Sequence, residues 1–182
     1  MRSMDVSNGE NLGVSLFVQG CPEPHCKNCF NPETWNFNGG KEWTEDAKNE
    51  FVKLIDKQYI KRISILGGEP LASQNLEGVL DLITTIYVET NSSQEKTIWI
   101  YSGYVWEDIF SDTKIQIDDY TAKINEDYEK RQQIIKLCNV FVDGRYIDSQ
   151  RDISLKWRGS KNQRVINVQE SLKQGKVILY CE

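Results

Sequence analysis

At 182 residues, with 39% hydrophobic and 27% charged side chains, the chain has the length and composition of one globular domain with a real core. No run approaches the roughly 18 consecutive apolar residues of a membrane span, and the polar start, residues 1–10, lacks the apolar stretch of a secretory signal, so a cytoplasmic protein without a membrane partner is expected. Twenty-two Lys and Arg against 27 Asp and Glu leave a net charge of -5, the wrong sign for a phosphate backbone, and no nucleic-acid partner is expected.

Residues 11–18 (NLGVSLFV) read as a first strand that runs into Gln19-Gly20-Cys21 and a loop punctuated by Pro22, Pro24 and Pro32. Thr44 is suited to N-cap a helix that carries Glu45 and Asp46 in its first turn, buries Phe51, Leu54 and Ile55 and ends near Lys57. Residues 60–66 (IKRISIL) form a second strand ending in Gly67-Gly68-Glu69-Pro70. Leu76, Val79, Leu80, Ile83 and Tyr87 then recur at helical spacing. Residues 97–101 (TIWIY) are a third strand, followed by Ser102-Gly103-Tyr104 and a short helix near Trp106. The polar, acid-rich stretch 111–128 reads as a surface insertion leading into a helix that includes Ile134, Ile135 and Leu137. Residues 140–142 make a fourth strand ending in Asp143-Gly144, and residues 177–180 a last strand after a short helix near Ser171. Strands alternating with helices predict a mostly parallel sheet whose strand ends share one edge, and every unusual motif falls at such an end. No repeat or linker divides the chain, so residues 1–182 are expected to form one domain.

Five cysteines, an odd number, argue against a closed disulfide framework, and cytoplasmic thiols stay reduced. Cys138, beside Leu137 and Val140, reads as core packing and Cys181 as an incidental thiol, whereas Cys21, Cys26 and Cys29 share one loop. A structural zinc site takes four ligands, normally in two separated pairs, and no second pair follows. Three thiolates suit a four-iron cluster in which one iron lacks a protein ligand and can bind a small molecule. A zinc site completed by His25, the chain's only histidine, and three free thiols are the alternatives at this point. In Gly67-Gly68-Glu69-Pro70 the glycines let backbone approach a ligand and the Glu69 carboxylate can accept from an ammonium group. Alone, that motif is better explained as a strand-to-helix turn opened by Pro70.

Together the two motifs resemble the radical S-adenosylmethionine enzymes, in which a three-cysteine loop follows the first strand and a glycine-glycine-glutamate motif the second. The resemblance extends through Val18-Gln19-Gly20-Cys21, Cys29-Phe30-Asn31-Pro32-Glu33-Thr34-Trp35, Tyr101-Ser102-Gly103-Tyr104 with Glu107, Val142-Asp143-Gly144-Arg145, Arg151-Asp152, Trp157-Arg158-Gly159-Ser160 and Asn162-Gln163-Arg164-Val165-Ile166. These look like the successive signatures of the anaerobic ribonucleoside-triphosphate reductase activating protein family, over most of the chain outside residues 111–128. The resemblance implies that Cys21, Cys26 and Cys29 ligate three irons of a 4Fe-4S cluster and that S-adenosylmethionine chelates the fourth. It assigns cofactor binding to Asn28 and Phe30 beside the last cysteine, to Gly67, Gly68 and Glu69 for the ammonium group, and to Tyr101 and Ser102 for the adenosine.

The reaction so implied is reductive cleavage of S-adenosylmethionine to a 5′-deoxyadenosyl radical, which takes hydrogen from a glycine in the reductase's glycyl radical subunit. A low-potential electron donor such as flavodoxin is the second implied partner, and no acid-base dyad is required. The family's loop carries three residues between its first and second cysteines, whereas Pro22, Glu23, Pro24 and His25 intervene here. A full eight-stranded α/β barrel takes roughly 250 residues. Five or six strands therefore predict an incomplete TIM-like barrel of the radical S-adenosylmethionine type, with helices outside and an open side for a glycine-bearing loop. Two other classes stay open: a radical enzyme acting on a small substrate, and a non-catalytic zinc module. Trp35 and Trp157 read equally as core and as partner surface, Arg145, Arg158 and Arg164 as carboxylate grips or surface ion pairs, and Asp143 as a turn residue.

Overall fold

Thr44 caps the first helix, α1 (Glu45–Ile55): its Oγ1 accepts from Ala47 N at 3.3 Å, and Glu45 and Asp46 complement the positive end of the helix dipole. The same logic closes the last helix, α5 (Val168–Gln174), where Asn167 accepts from Glu170 N at 3.1 Å and Gly175 adopts the left-handed conformation at the C-terminal end. A computed structural model describes residues 1–91, 96–110 and 119–181 of the chain. Between those caps lie the helices α2 (Leu76–Asn91), α3 (Trp106–Phe110) and α4 (Asp119–Lys136). The strands are β1 (Arg2–Asp5), β2 (Gly13–Val18), β3 (Arg62–Gly67), β4 (Thr97–Tyr101), β5 (Val140–Asp143) and β6 (Arg164–Asn167).

The six strands pair in chain order. β2, β3, β4 and β5 are parallel, and β1 and β6 are antiparallel edges. The sheet is open and does not close into a barrel. One face is mainly apolar: Val14, Leu16, Ile63, Ile65, Ile98, Ile100, Phe141 and Ile166 pack beneath side chains of the five helices, among them Phe51, Ile83, Ile109, Ile134 and Val168. The opposite face is mixed. Trp99, Val140, Val142 and Val165 form a smaller cluster with Trp157 and Tyr180, while Ser15, Arg62 and Ser64 are buried polar residues on the same side. Arg62 is fully buried; its guanidinium donates to Asp5 O at 2.8 Å, to Asn11 O at 3.2 Å and to Gly9 O, and it lies 3.5 Å from the Asp5 carboxylate. The Asp5 carboxylate in turn accepts from Ser15 Oγ at 2.5 Å and Ser7 N at 2.7 Å, which folds residues 6–12 over this face.

Three features depart from the sequence expectation. β1 is an unanticipated strand, four residues long and mostly exposed, so it carries no hydrophobic run. β6 occupies residues read only as a family signature, and residues 177–180 are not a strand: Leu179 makes a single bridge to Ile166, flanked by Tyr180 N to Val165 O at 2.7 Å and Asn167 N to Ile178 O at 2.8 Å. α4 begins at Asp119, so the second half of stretch 111–128 is helix; residues 111–118 lie outside the described residues. Among the described residues no helix is long and apolar enough to cross a membrane.

Candidate functional site

The C-terminal ends of β2, β3, β4 and β5 lie side by side at one edge of the sheet, and the chemistry-bearing motifs gather there. The cysteine loop is closed at its neck by backbone: Gly20 N donates to Thr34 O at 2.8 Å and Cys21 N to Trp35 O at 2.9 Å. Gly20 has φ 99, and a Cβ there would sit 2.1 Å from the Phe37 ring, so only glycine fits this crossing. The glycine-glycine-glutamate turn is stitched to the same point. Gly68 N donates to Val18 O at 2.8 Å and Glu69 N to Gly20 O at 2.7 Å, and a Cβ on Gly68 would meet Gly20 O at 2.2 Å. The two motifs recognised separately in the sequence are therefore one backbone unit.

Within the loop, Asn28 takes a left-handed conformation (φ 55) that lets Cys29 N reach Cys26 O at 3.3 Å, and Asn31 N donates to Cys29 Sγ at 3.4 Å. His25 braces the loop: its ring stacks on Trp35 at 4.2 Å and 2°, and Nε2 donates to Cys21 O at 3.1 Å. Cys21, Cys26, Cys29 and Phe30 face a cavity of about 720 Å³, joined by Gly67, Gly68 and Glu69 from the end of β3 and by Tyr101 and Ser102 from β4. Nine of the ten site residues expected from sequence thus line one cavity. Asn28 does not; its exposed amide donates to Asp148 Oδ2 at 3.0 Å.

Burial, then the Glu69 carboxylate and the two neighbouring cysteines, push the Cys21 thiol up to about 11, with Arg145 opposing. It stays protonated until a metal displaces the proton. Three thiols on one loop, one already accepting a backbone N–H, suit thiolate ligation of an iron-sulfur cluster. Among the described residues no three His, Cys, Asp or Glu side chains converge closely enough to hold a single ion. A cluster sets each thiolate on a different iron, and so farther apart than ligands of one zinc.

Glu69 is 5% exposed, and its carboxylate accepts from Ser102 Oγ at 2.7 Å, Leu71 N at 2.9 Å and Gly103 N at 2.7 Å. Burial raises its pKa above the ordinary value despite those three donors. Ser102 Oγ also accepts from Tyr104 N at 3.0 Å, and its bond to Glu69 ties the end of β3 to the end of β4. Among the described residues the buried Tyr101 hydroxyl has no hydrogen-bond partner, and burial holds it protonated far above the usual phenol range.

The cavity also takes residues that the sequence did not single out as a set. Arg2, Ser7 and Asn8 reach it from the N-terminal segment, which carried no signal because β1 went unrecognised, and Phe17 reaches it from β2. Arg145, Tyr146, Trp157 and Arg158 reach it from the β5–β6 connection, where the grouping of Gly144-Arg145 and Trp157-Arg158 within signatures was the available clue. Trp157 is held at φ 58, uncommon for a bulky residue, with its ring edge-on to Trp99 at 5.1 Å. Arg158 Nε is buried without a partner. Arg164 is spent internally: it pairs with Asp143 at 2.5 Å and Glu107 at 2.6 Å, while Asp143 also accepts from Trp106 N at 2.9 Å.

A family model described as a 4Fe-4S single cluster domain matches residues 7–166. The chain is 34% identical over 164 residues to the anaerobic ribonucleoside-triphosphate reductase-activating protein of Escherichia coli, covering 89% of this chain and 92% of that one. Proteins of the same name from Vibrio cholerae (33% over 162 residues, 88% and 90%) and Haemophilus influenzae (30% over 161 residues, 87% and 90%) align over nearly the same span. No solved structure matches. With the three-cysteine loop and the glycine-glycine-glutamate turn joined at one cavity, and relatives aligned over nine-tenths of its length, the chain belongs to the family of anaerobic ribonucleoside-triphosphate reductase-activating proteins.

Proposed function

We propose that the chain is the activase of an anaerobic ribonucleoside-triphosphate reductase, with Cys21, Cys26 and Cys29 as the three protein ligands of a 4Fe-4S cluster. The cluster, when bound and reduced, supplies one electron to the sulfonium of S-adenosylmethionine, which parts into methionine and a 5′-deoxyadenosyl radical able to take hydrogen from a glycine α-carbon. The remaining work is positioning. A carboxylate offers about four lone-pair sites, and Glu69 already accepts three hydrogen bonds. One is left for the cofactor's ammonium group, beside the backbone of Gly67 and Gly68, where no Cβ intrudes. Ser102 acts through Glu69, to which its hydroxyl proton is donated. Tyr101, whose hydroxyl lacks a partner, and Phe30, whose ring is 56% exposed, face the cavity as adenosine contacts.

The observation that carries this reading is the junction of Gly20 with Gly68 and Glu69, which sets thiols and carboxylate on one wall of one cavity. Helices cover a single face of the sheet, as in a partial barrel whose open side admits a loop from a large protein. The setting is the cytoplasm, where thiols stay reduced and a flavodoxin-like donor of low potential is at hand. In an anaerobic assay with chemical reductant, the reconstituted chain should form 5′-deoxyadenosine and, with its reductase, a glycine-centred radical detected by electron paramagnetic resonance. Cofactor cleavage without any such radical would reject the activase reading.

A further inference from the structure

We propose that Trp157 and Arg158, on the connection between β5 and β6, seat the main chain of the reductase's glycine segment. Arg158 Nε donates to a peptide carbonyl beside the glycine, and the Trp157 side chain is the apolar wall against which that residue lies. The assignment rests on the function proposed above and deepens it, because it names the residues that hold the protein substrate.

Both residues line the cavity, and the strip that carries them is tightly fixed. Trp157 is held at φ 58, a left-handed conformation that costs a bulky residue free energy and persists only where the surroundings impose it. Those surroundings are the mixed face of the sheet: the Trp157 ring lies 5.1 Å from the fully buried Trp99 and 6.0 Å from Tyr180. Beyond Arg158, Gly159 N donates to Gln163 Oε1 at 2.9 Å and Asp152 N to Gly159 O at 3.2 Å. A Cβ on Gly159 would come within 2.7 Å of the Phe30 ring, so the strip runs directly beside a residue of the cysteine loop. Strain maintained in this way on a cavity wall points to a position kept for a ligand, and a wall already in shape loses little entropy when the ligand binds.

Arg158 supplies the second observation. Its Nε is buried and, among the described residues, has no hydrogen-bond partner. A guanidinium only donates, and a buried donor without an acceptor costs free energy until an acceptor arrives. Two acceptors enter this cavity in the proposed reaction, the carboxylate of S-adenosylmethionine and the backbone of the protein substrate. Arg145 stands beside the first. Its Cγ lies 3.0 Å from the place a Gly103 Cβ would take, and Glu69 Oε2 lies 3.2 Å from that same place. The cofactor's carboxylate shares a carbon with the ammonium that Glu69 receives, so Arg145 is the cation it meets, and Arg158 is left for the peptide.

A carbonyl is the acceptor that every segment offers whatever its side chains, so this contact fixes the main chain without reading its charge. Taking hydrogen from an α-carbon needs the main chain close to the reacting centre, and glycine alone brings it against a bulky wall with no Cβ between. Trp157 also keeps water from the hydrogen bond, which strengthens it.

The test compares wild type with Arg158→Met, which keeps a long side chain and removes every donor. Because the donor is unsatisfied in the free chain, its loss should leave the urea midpoint at or above the wild-type value. The concentration of S-adenosylmethionine that alters the electron paramagnetic resonance of the reduced cluster should stay as in wild type. With reductase and excess dithionite, the number of glycine-centred radicals per 5′-deoxyadenosine should fall about tenfold, the loss of one charged hydrogen bond. Trp157→Gly, which accepts φ 58 without strain, should lower the same ratio. An unchanged ratio in either variant would overturn the proposal. So would a tenfold weaker response of Arg158→Met to S-adenosylmethionine, which would assign Arg158 to the cofactor, or a lower urea midpoint, which would make it a structural residue. If wild type itself forms no glycine-centred radical, the activase reading fails instead.

Discussion

Cys21→Ala, Cys26→Ala and Cys29→Ala each leave the anaerobically reconstituted chain without its cluster: iron and sulfide fall from about four of each per chain to well under one, and 5′-deoxyadenosine formation falls to background. The expectation follows from how few ligands there are. All three thiols face one cavity, His25 is occupied between Trp35 and Cys21 O, and Cys138 is fully buried with its Sγ directed to Ile134 O at 3.3 Å. Among the described residues that line the cavity, these three are the only thiols. Cys138→Ala keeps full iron content and activity and costs only the packing of a small buried side chain, about 1 kcal/mol. Elemental analysis and the visible absorption of the four variants decide the matter. Full iron in Cys21→Ala would mean that the longer loop has handed ligation to another side chain.

The largest effect on stability is expected in the polar cluster of Asp5 and Arg62, beneath residues 6–12. Asp5→Ala leaves the fully buried Arg62 guanidinium without its counter-charge and frees Ser15 Oγ and Ser7 N at the same time. Breaking a buried ion pair by removing one partner costs about 3–5 kcal/mol. A urea titration should show that loss as a lower midpoint at neutral pH. The pH dependence has a definite sign. Burial alone would raise the Asp5 carboxyl, but hydrogen bonds from Ser15, Ser7 and Asn8 outweigh it and hold the pKa below its ordinary value of 3.8. A carboxyl whose pKa is lower folded than unfolded stabilises the fold above the unfolded value and stops doing so as pH falls through the folded one. The gap between wild type and Asp5→Ala should therefore stay constant from neutral pH down to about 4 and close only below it. A gap that closed at higher pH would show that the carboxylate is not held in its charged form.

Glu69 has the opposite sign. Its raised pKa means that the folded chain binds a proton more readily than the unfolded one, so its ionisation weakens the fold as pH rises above 4.5. A buried carboxylate at such a position suits a cationic group that arrives there, which in the proposed function would be the ammonium of S-adenosylmethionine.

The parallel core was legible in the sequence because its strands are short β-branched runs and its helices carry apolar residues at helical spacing. Residues 60–66 and 97–101 became β3 and β4 almost residue for residue. The antiparallel edges were not legible, for a physical reason. β1 is exposed on most of its residues, and β6 is only four residues long with two of them buried, so neither shows a period. Residues 177–180, the most strand-like stretch near the C-terminus, only back β6, since one bridge and two backbone hydrogen bonds use up their pairing.

At the site, residue types announced chemistry that local reasoning could follow: three cysteines on a loop, two glycines and a glutamate at a strand end. What the sequence withheld was the hydrogen bonding between Gly20 and Glu69, 49 positions apart, and the assembly of Arg2, Phe17 and Trp157 around the same cavity. Long-range pairing of this kind leaves no trace in spacing. His25 illustrates the limit from the other side: its place in a proline-rich loop suggests a solvent-facing residue, and its ring is stacked on Trp35, a contact no local pattern encodes.

The most direct test is Mössbauer spectroscopy of the chain reconstituted with isotopically enriched iron, recorded with and without S-adenosylmethionine. If three cysteines hold the cluster and one iron is open, adding the compound shifts about a quarter of the signal to a site of higher coordination and leaves the rest in place. Four irons that all ignore the compound, each already bound by a side chain, would contradict it.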